Sequence, residues 1–209
     1  GGCRCAAGRM MRTIRIIEHI SLDGVIQGPG GPGEDRENGF DYGGWAFPHA
    51  SAEGGEAIDK AHGTGFDLLL GRKTYDIFAS YWPKQEGAMA DSLNGARKYV
   101  ATHRPDSLDW GPVESLGSDI AAGIAKVKAS EGPDLIVWGS STLTPLLIAD
   151  GLADHVLLLV FPVMIGRGKR IFSDLVQPSG LTLIESKATP TGVILSTYKP
   201  AGALRVGSF

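Results

Sequence analysis

Five short, nearly continuous apolar segments constrain the fold of this chain more than any other feature. They lie at residues 14–17, 66–71, 98–102, 134–139 and 155–161. Segments of this length and density are typical of strands buried on both faces, as in a parallel sheet covered by helices. Helical patterns occupy the four intervals between them, at residues 51–63, 73–82, 118–130 and 142–151. The alternation of strands and helices predicts an α/β fold with right-handed crossovers.

The end of the chain has a different pattern. Two further apolar segments, 181–188 and 193–199, flank the turn sequence TPTG, which predicts an antiparallel hairpin. The expected fold class is therefore a mixed, mostly parallel sheet flanked by helices, with a C-terminal hairpin. No linker interrupts residues 12–200, so we predict a single domain there. Residues 1–11 are expected to form a disordered or variable leader, and residues 201–209 a tail.

Composition excludes several classes of function. Of the 209 residues, 21% are charged, and the formal net charge is −3, so the charge balance favours neither nucleic acid nor an anionic membrane as a partner. No apolar run approaches the length of about 18 residues that a membrane span requires. Cys3 and Cys5 have no further Cys or His close to them in the sequence that could complete a metal site. We expect a cytoplasmic protein without a metal.

The glycine-rich stretch GPGGPG (28–33) follows the first strand and has the spacing of a dinucleotide-binding motif. That motif needs a helix to begin at its third glycine, so that amide groups and the helix dipole face the phosphate. No helical pattern follows Gly33. Residues 25–45 instead form a long connection of the kind that covers many active sites, and the aromatic residues in it can stack on a flat substrate. We interpret the stretch as part of a lid.

Two strands run directly into a glycine and then a helix, an arrangement that suits phosphate binding. The residues concerned are Gly71, Arg72, Lys73 and Thr74 at the first junction and Gly139, Ser140, Ser141 and Thr142 at the second. A glycine lets a ligand approach the backbone, and amide groups at a helix start attract anions. Ligands of open α/β sheets gather at the carboxyl ends of strands, so the two junctions could hold parts of one dinucleotide. Ordinary capping and solvated basic side chains explain the same residues without a ligand.

Four motifs occur in an order that resembles a known family. They are SLDG (21–24), GRKTY (71–75), WGSSTL (138–143) and FPVMIGRGKRIF (161–172). Together they resemble the dihydrofolate-reductase-like superfamily and, more closely, the reductases grouped with the C-terminal domain of the riboflavin-biosynthesis enzyme RibD. The resemblance extends over residues 12–199. It implies a mixed eight-stranded sheet, NADPH as cofactor and reduction of a small heterocycle, in the manner of 5-amino-6-(5-phosphoribosylamino)uracil reductases.

The resemblance also implies cofactor contacts in three segments. The first junction would hold the cofactor phosphates, the second the pyrophosphate and nicotinamide, and the segment ATHR (101–104) the 2′-phosphate that distinguishes NADPH from NADH. The implied residues are Gly71, Arg72, Lys73, Thr74, Thr102, His103, Arg104, Gly139, Ser140, Ser141, Thr142 and Leu143. A homodimer is implied as well, and pairing between subunits would cover the apolar edge of the last hairpin.

Asp23, at the end of the first strand, is the candidate catalytic residue. It could position the substrate or relay a proton, which requires a pKa raised by burial; the alternative is a turn residue before Gly24. Glu18 and His19 lie on the strand itself, and one of them is expected to point into the cleft. Candidate substrate contacts are Trp45, Tyr75, Trp82 and Phe161. The alternative function is that of a non-catalytic protein that binds a nucleotide or pterin on the same fold.

Overall fold

The structure, a computed structural model, describes residues 11–172 and 177–208. Its strands are β1 (Ile14–Ser21), β2 (Phe66–Gly71), β3 (Lys98–Ala101), β4 (Val113–Ser115), β5 (Asp134–Trp138), β6 (His155–Phe161), β7 (Ser179–Ala188) and β8 (Ile194–Ala203). Its helices are α1 (Ala52–His62), α2 (Arg72–Tyr81), α3 (Ala88–Gly95), α4 (Ile120–Lys128) and α5 (Thr144–Ala149). The leader prediction lies outside the described residues, apart from Met11.

The strands form one sheet in the order β4-β3-β2-β5-β1-β6-β8-β7. All pairs among β1 to β6 are parallel, and the pairs β6–β8 and β7–β8 are antiparallel. The predicted mixed, mostly parallel sheet with a C-terminal hairpin is therefore confirmed. The hairpin places β7 at one edge of the sheet, where Leu183 and Ile184 are about half exposed.

The two faces of the sheet carry separate hydrophobic clusters because successive side chains of a strand point to opposite faces. On β1, Ile16 belongs to the cluster that includes Leu147 of α5, whereas Ile17 belongs to the cluster that includes Leu93 of α3. All four side chains are fully buried. Helices cover both faces, which explains why the central strands are nearly continuous apolar runs. No helix among the described residues is both long and apolar enough to cross a membrane.

Two elements are not indicated by the sequence patterns, and one is longer than predicted. β4 has only three residues, and α3 lies in a stretch of small and polar residues without a clear apolar period. β8 extends to Ala203 rather than ending at residue 199, so the first three residues of the predicted tail belong to a strand. Their backbone pairs with β7, for example Ser179 with Ala203, although the side chains are mostly exposed. Backbone pairing of this kind leaves no hydrophobic pattern.

The end of β5 opens the sheet near its centre. β5 pairs with β1 only as far as Ile17 and Trp138, and with β2 only as far as Leu68 and Ile136. Both neighbours continue for three or more residues, β1 to Ser21 and β2 to Gly71. The chain turns away after β5 and leaves a gap between the carboxyl ends of β1 and β2. This gap positions the candidate site, as expected for a ligand site in an α/β sheet.

Candidate active site

A cavity of about 470 Å³ lies at the gap that the end of β5 leaves. Its volume is within the usual range for small-molecule sites. Apolar side chains form much of its wall, among them Ile58, Phe78, Trp82, Met89 and Trp138. Polar groups come from the end of β1, the two strand–glycine–helix junctions and the loop that follows β1. A mostly apolar cavity with a few polar groups suits a flat organic ligand.

The first junction, at the start of α2, presents uncapped backbone amides. Gly71 is the N-cap of α2, and no side chain caps the first turn. The amides of Arg72, Lys73 and Thr74 therefore have no acceptor within the helix, and all three residues line the cavity. The positive end of the helix dipole adds to their attraction for an anion. This junction has the donors that a phosphate group needs.

The second junction is locked against the first by hydrogen bonds. The amide of Gly71 donates to Ser140 Oγ at 2.8 Å, and the amide of Ser140 donates to Thr74 Oγ1 at 2.9 Å. Gly139 has a φ of +54° and lies so close that a Cβ there would be 2.8 Å from Thr74 Oγ1, which explains the need for glycine. Ser140, with a φ of +59°, shares this left-handed conformation. The two junctions therefore form one rigid wall.

The second junction also leaves two amides without an acceptor. Those of Ser141 and Thr142 donate no hydrogen bond to any of residues 11–172 and 177–208, whereas the amides that follow bond to the carbonyl oxygen of Ser140. Ser141 and Thr142 line the cavity. Leu143 does not, because its side chain is packed in the hydrophobic cluster beside α5. A ligand could reach Leu143 only through its backbone.

Arg72 connects the first junction to the loop after β3. Its guanidinium donates to Thr102 Oγ1 at 3.2 Å and to the carbonyl oxygens of Arg104 at 2.9 Å and Ser107 at 3.1 Å. Its Nε also donates to Asp76 at 2.8 Å. The side chain thus holds α2 against this loop. Its predicted contact with a phosphate stays a prediction.

The three residues of the ATHR segment that were predicted to read a 2′-phosphate lie beside the cavity rather than in its wall. Thr102 is buried, and its hydroxyl accepts a hydrogen bond from the amide of Arg104 at 3.0 Å. The side chains of His103 and Arg104 are exposed at the carboxyl end of β3. Arg104 lies 3.6 Å from Asp76 and is two-thirds exposed, so its charge is accessible to a ligand that extends past α2.

Glu18 and His19 form the floor of the cavity, which we define as these two side chains together with Gly139. Both line it, although neighbouring strand residues point to opposite faces and only one of them was expected there. The reason is that β5 ends opposite Ile17, so the cavity lies across the exposed edge of β1 and reaches both faces. The ring of His19 stacks on Trp138 at 5.6 Å and lies 5.4 Å from Phe161.

The floor is poorly solvated, and this shifts the pKa values of Glu18 and His19. Burial raises the pKa of Glu18 well above its usual value and lowers the pKa of His19 to about 4. In each case burial disfavours the charged form. For both groups the shift favours the neutral form.

The loop after β1, predicted as a lid, lies over the cavity and carries a charged rim. We define this rim as Asp35, Glu37, Lys73 and Lys169. Lys169 Nζ contacts Asp35 at 2.6 Å and also pairs with Glu37, while Lys73 Nζ is 3.1 Å from Glu37. Burial alone would raise the pKa of Asp35, but hydrogen bonding to Lys169 lowers it below its usual value, and the two lysines lower that of Glu37.

The GPGGPG stretch belongs to this lid and does not begin a helix. Gly44 donates to the carbonyl oxygen of Gly28 at 2.8 Å, and Glu34 Oε2 accepts from the amides of Gly30 at 2.5 Å and Gly31 at 3.0 Å. The amides of this stretch are thus used to shape the loop. Its first three residues line the cavity, and its function as a lid stays a prediction.

Asp23 is not placed as a proton donor. Its carboxylate accepts hydrogen bonds from Ser21 Oγ at 2.7 Å and from the amides of Ile165 at 3.1 Å and Gly166 at 2.7 Å, and Arg170 donates to its backbone carbonyl. The hydrogen bond from Ser21 and those from the two amides lower the pKa of Asp23 to about 2. A proton donor needs the opposite shift. Asp23 also lies outside the lining of the cavity, and it joins β1 to the loop after β6.

Of the four candidate substrate contacts, Trp82 lines the cavity. Tyr75 is buried and lies outside the lining of the cavity, and its hydroxyl accepts a hydrogen bond from the amide of Trp110 at 2.7 Å. Phe161 is buried behind His19. Trp45 packs edge-on against Phe161, and its Nε1 donates to the carbonyl oxygen of Gln27 at 2.8 Å. Phe161 and Trp45 support the floor and the lid from outside the cavity.

The sequence analysis assigned no role to Glu18 and did not identify the contacts of the rim. Glu18 was placed on the first strand without a role, although a charged residue inside a buried apolar strand is itself a signal of function. The rim is formed by residues from three distant segments, and no spacing in the sequence indicates that Lys169 contacts Asp35. No cluster of three or more metal-binding side chains occurs in residues 11–172 and 177–208.

Comparison with known proteins agrees with this architecture. A family model, the RibD C-terminal domain, matches residues 12–195. The uncharacterised protein YyaP of Bacillus subtilis (strain 168) is 27% identical over 136 residues, which cover 63% of this chain and 72% of YyaP. The chain therefore belongs to the RibD C-terminal domain family.

Solved structures with the same fold include three that cover nearly the whole chain. A putative riboflavin biosynthesis protein from Shewanella sp. PV-4 has a TM-score of 0.62 at 16% identity. The aligned region covers 90% of this chain and 99% of that protein. A pyrimidine reductase-like protein from Corynebacterium diphtheriae has a TM-score of 0.62 at 13% identity, covering 91% and 92%. The dihydrofolate reductase of Enterococcus faecalis, crystallised with NADP(H), has a TM-score of 0.58 at 16% identity, covering 90% and 96%. At these identities the similarity shows the fold, which is that of dihydrofolate reductase.

Proposed function

We propose that the protein is an NADPH-dependent oxidoreductase that reduces a small heterocycle. The observation that carries this proposal is the meeting of two strand–glycine–helix junctions at one mostly apolar cavity. Membership of the RibD C-terminal domain family supports a reductase, and the Enterococcus faecalis neighbour was crystallised with NADP(H). A cavity of about 470 Å³ has room for a reactive ring and a flat substrate side by side.

The donor set of the cavity wall fits a dinucleotide. Four backbone amides at the two junctions are available to it: those of Lys73 and Thr74 have no acceptor within α2, and those of Ser141 and Thr142 donate to no residue that the structure describes. Amide donors at a helix start are suited to phosphate and pyrophosphate oxygens. In our proposal the junctions hold these groups, and Arg104, with Thr102 and His103, contacts the 2′-phosphate of the adenosine ribose. A guanidinium is suited to a phosphate because it donates two parallel hydrogen bonds.

NADPH supplies the hydride when it is bound. The chain itself orients the reactants, excludes water and provides a proton. Ile58, Phe78, Trp82 and Trp138 offer an apolar wall against which a flat ring can pack. The lid, held over the cavity by the charged rim, limits access of water. We propose 5-amino-6-(5-phosphoribosylamino)uracil as the first substrate to test, because the family is named for an enzyme of riboflavin biosynthesis.

We also propose that two copies of the chain associate through the C-terminal hairpin. β7 is the last strand of the sheet, and its backbone is unpaired on the outer side within the described part of the chain. Leu183 and Ile184 are exposed to 53% and 51% on this strand. An exposed apolar edge strand favours pairing with another chain, and a second copy would cover it.

Titration of the purified chain with NADPH and with NADH by calorimetry tests the cofactor assignment. We expect NADPH to bind, and Arg104→Ala to weaken NADPH by about tenfold or more while leaving NADH unchanged, because a charged hydrogen bond contributes about 1.5–3 kcal/mol. Arg97→Ala is the matched control, since Arg97 is an exposed arginine paired with Glu114 on the short strand β4, away from the cavity. Failure of the folded protein to bind either nucleotide would refute the proposal.

A further inference from the structure

Glu18 is a carboxyl group at the cavity floor without a cationic partner. The residue is 2% exposed, and it lines the cavity. No lysine or arginine in residues 11–172 and 177–208 forms an ion pair with it. A buried carboxylate without compensation is strongly disfavoured, so such a group retains its proton instead.

Hydrogen bonds with Thr144 of α5 and with the backbone of Gly139 lower the pKa of Glu18, but burial raises it by more. Thr144 Oγ1 lies 3.5 Å from Glu18 Oε1, but this hydroxyl donates to the carbonyl oxygen of Gly139 at 2.9 Å. A hydroxyl has one proton to donate and can still accept. Since the proton of Thr144 is already engaged, the oxygen remains available as an acceptor for a protonated Glu18.

The other ionisable groups at the cavity do not supply a charge to the floor. They are His19 on β1, Arg72 and Lys73 on α2, Glu34, Asp35 and Glu37 in the lid, and Lys169 after β6. Lys73 and Lys169 pair with Asp35 and Glu37 at the rim, and Arg72 is engaged by Asp76 and the loop after β3. His19, whose pKa is lowered to about 4 by burial, is neutral at pH 7. Glu18 therefore lies in an uncharged part of the site.

We propose that Glu18 is the proton donor of the reaction, and that the substrate is a flat heterocycle whose reducible C=N bond is held with its nitrogen over this carboxyl group. The inference rests on the proposed reductase function. Reduction adds a hydride to the carbon and a proton to the nitrogen. The O–H bond of Glu18 breaks as the new N–H bond forms, and the carboxylate that remains takes a proton from water before the next turnover.

The other candidates do not fit this role. Asp23 is ionised, is engaged by hydrogen bonds and lies outside the cavity lining. His19 carries no extra proton at neutral pH. Glu34 lines the cavity and is also buried enough to raise its pKa, but one of its oxygens accepts two amide hydrogen bonds in the lid. Among the described residues, Glu18 is the carboxyl group of the cavity that is almost fully buried and forms no ion pair.

The protonation state of Glu18 can be measured without a cofactor or substrate. Infrared difference spectra of the full chain against Glu18→Gln at pH 7 should contain the carbonyl band of a protonated carboxyl group, shifted in deuterated water. Glu86→Gln, at an exposed position outside the cavity, should show no such band. A carboxylate band in place of the protonated one would overturn the proposal, whatever the protein does with NADPH.

Kinetics then separate the donor from the reductase. Glu18→Gln should bind NADPH with an affinity within about twofold of the unmodified chain. It should reduce dihydrofolate, whose dihydropterin ring contains a C=N bond, with a kcat at least roughly a hundredfold lower, because acid catalysis contributes about 10²–10⁴-fold. The alkaline fall in kcat should disappear in the variant. Retention of kcat and of its pH profile in Glu18→Gln would overturn the donor role while leaving the reductase intact, and loss of NADPH binding by the unmodified chain would refute the reductase instead.

Discussion

The pKa of a carboxyl group is raised at the floor of the cavity and lowered at its rim. At the floor, Glu18 is 2% exposed and has no cationic partner among the described residues, and burial raises its pKa. At the rim, Asp35 is 7% exposed yet remains a carboxylate because Lys169 contacts it at 2.6 Å. The difference is the presence of a cation, since both carboxyl groups are buried. A carboxyl group without a cation can hold a proton for transfer, whereas one with a cation holds a loop in place.

The contrast also separates a charged part of the site from an uncharged part. The rim keeps its charges in matched pairs at the mouth, where water still reaches Glu37 and Lys73, each about half exposed. The floor contains no paired charge, so a neutral ring meets no competing ion there. A substrate would therefore pass a charged entrance and arrive in an uncharged compartment, in which hydrogen bonds are stronger than in water.

Removal of the cation at the rim should have the largest effect on stability. In Lys169→Met the buried Asp35 would lose its closest counter-charge, and we expect a loss of about 3 kcal/mol in the free energy of unfolding at neutral pH. Amide hydrogen exchange over residues 28–45 should rise in the same variant because the lid loses its anchor. Denaturant unfolding measures the first effect, and mass spectrometry the second.

Lys126→Met, which removes an exposed lysine of α4, is the matched control and should change stability by less than about 0.5 kcal/mol. Lys169→Arg should recover most of the loss because it restores the charge. Equal stability of Lys169→Met and Lys126→Met would show that the rim carboxylates do not depend on Lys169, and the contrast with the floor would fail.

Asp23 extends the comparison past the end of the same strand, five residues after Glu18. Its carboxylate accepts three hydrogen bonds that tie β1 to the loop after β6. In Asp23→Asn, the NH₂ group of the new amide would face at least one of the groups that now donate to the carboxylate, and that hydrogen bond would be lost. We therefore expect the free energy of unfolding to fall by about 2 kcal/mol at pH 7. NADPH affinity should change little, because Asp23 does not line the cavity.

The pH dependence of the Asp23→Asn effect follows from the lowered pKa. The native pKa of about 2 lies below the ordinary value of 3.8, so the stabilisation is fully present above pH 3.8 and is lost as the pH falls through 2. Unfolding free energies of the two chains should therefore converge towards pH 2. Asp109→Asn, at an exposed position, should show no such convergence. A constant difference between pH 7 and pH 2 would contradict the hydrogen-bond explanation.

The fold could be predicted from the sequence, but the different environments of Glu18 and Asp23 could not. The apolar strands and the order of strands and helices predict the sheet correctly because burial on both faces leaves a direct pattern. The glycines at 71 and 139 mark where the chain turns at the cavity, and at Gly139 the close approach of Thr74 excludes a side chain. The choice between Glu18 and Asp23 depends on where β5 ends and on which amides meet Asp23. These are tertiary facts, and the sequence analysis selected Asp23 because it follows the strand in a recognisable motif.

The contacts within the rim could not be predicted from the sequence either, because they too depend on tertiary structure. Lys73 was predicted to hold a phosphate because it follows Gly71, and it does line the cavity, but its ammonium group is 3.1 Å from Glu37 of the lid. A contact between residues so far apart along the chain leaves no periodic signal. The backbone at the two junctions follows from local sequence, whereas the partners of their charged side chains follow from packing.

The most direct test of the floor is the pH dependence of the stability of Glu18→Gln. The pKa of Glu18 is raised in the folded state above its ordinary value of 4.5, so its contribution to stability is fully present below pH 4.5 and is lost as the pH rises towards the folded-state pKa. Glutamine does not titrate. The variant should therefore gain stability relative to the unmodified chain as the pH rises above 4.5, by up to about 1.4 kcal/mol per pH unit for one proton. Urea unfolding from pH 4 to pH 8 measures this slope, with Glu86→Gln as the control. The sign is opposite to that expected for Asp23→Asn, and a flat difference would mean that Glu18 is ionised in the folded protein and that floor and rim do not differ.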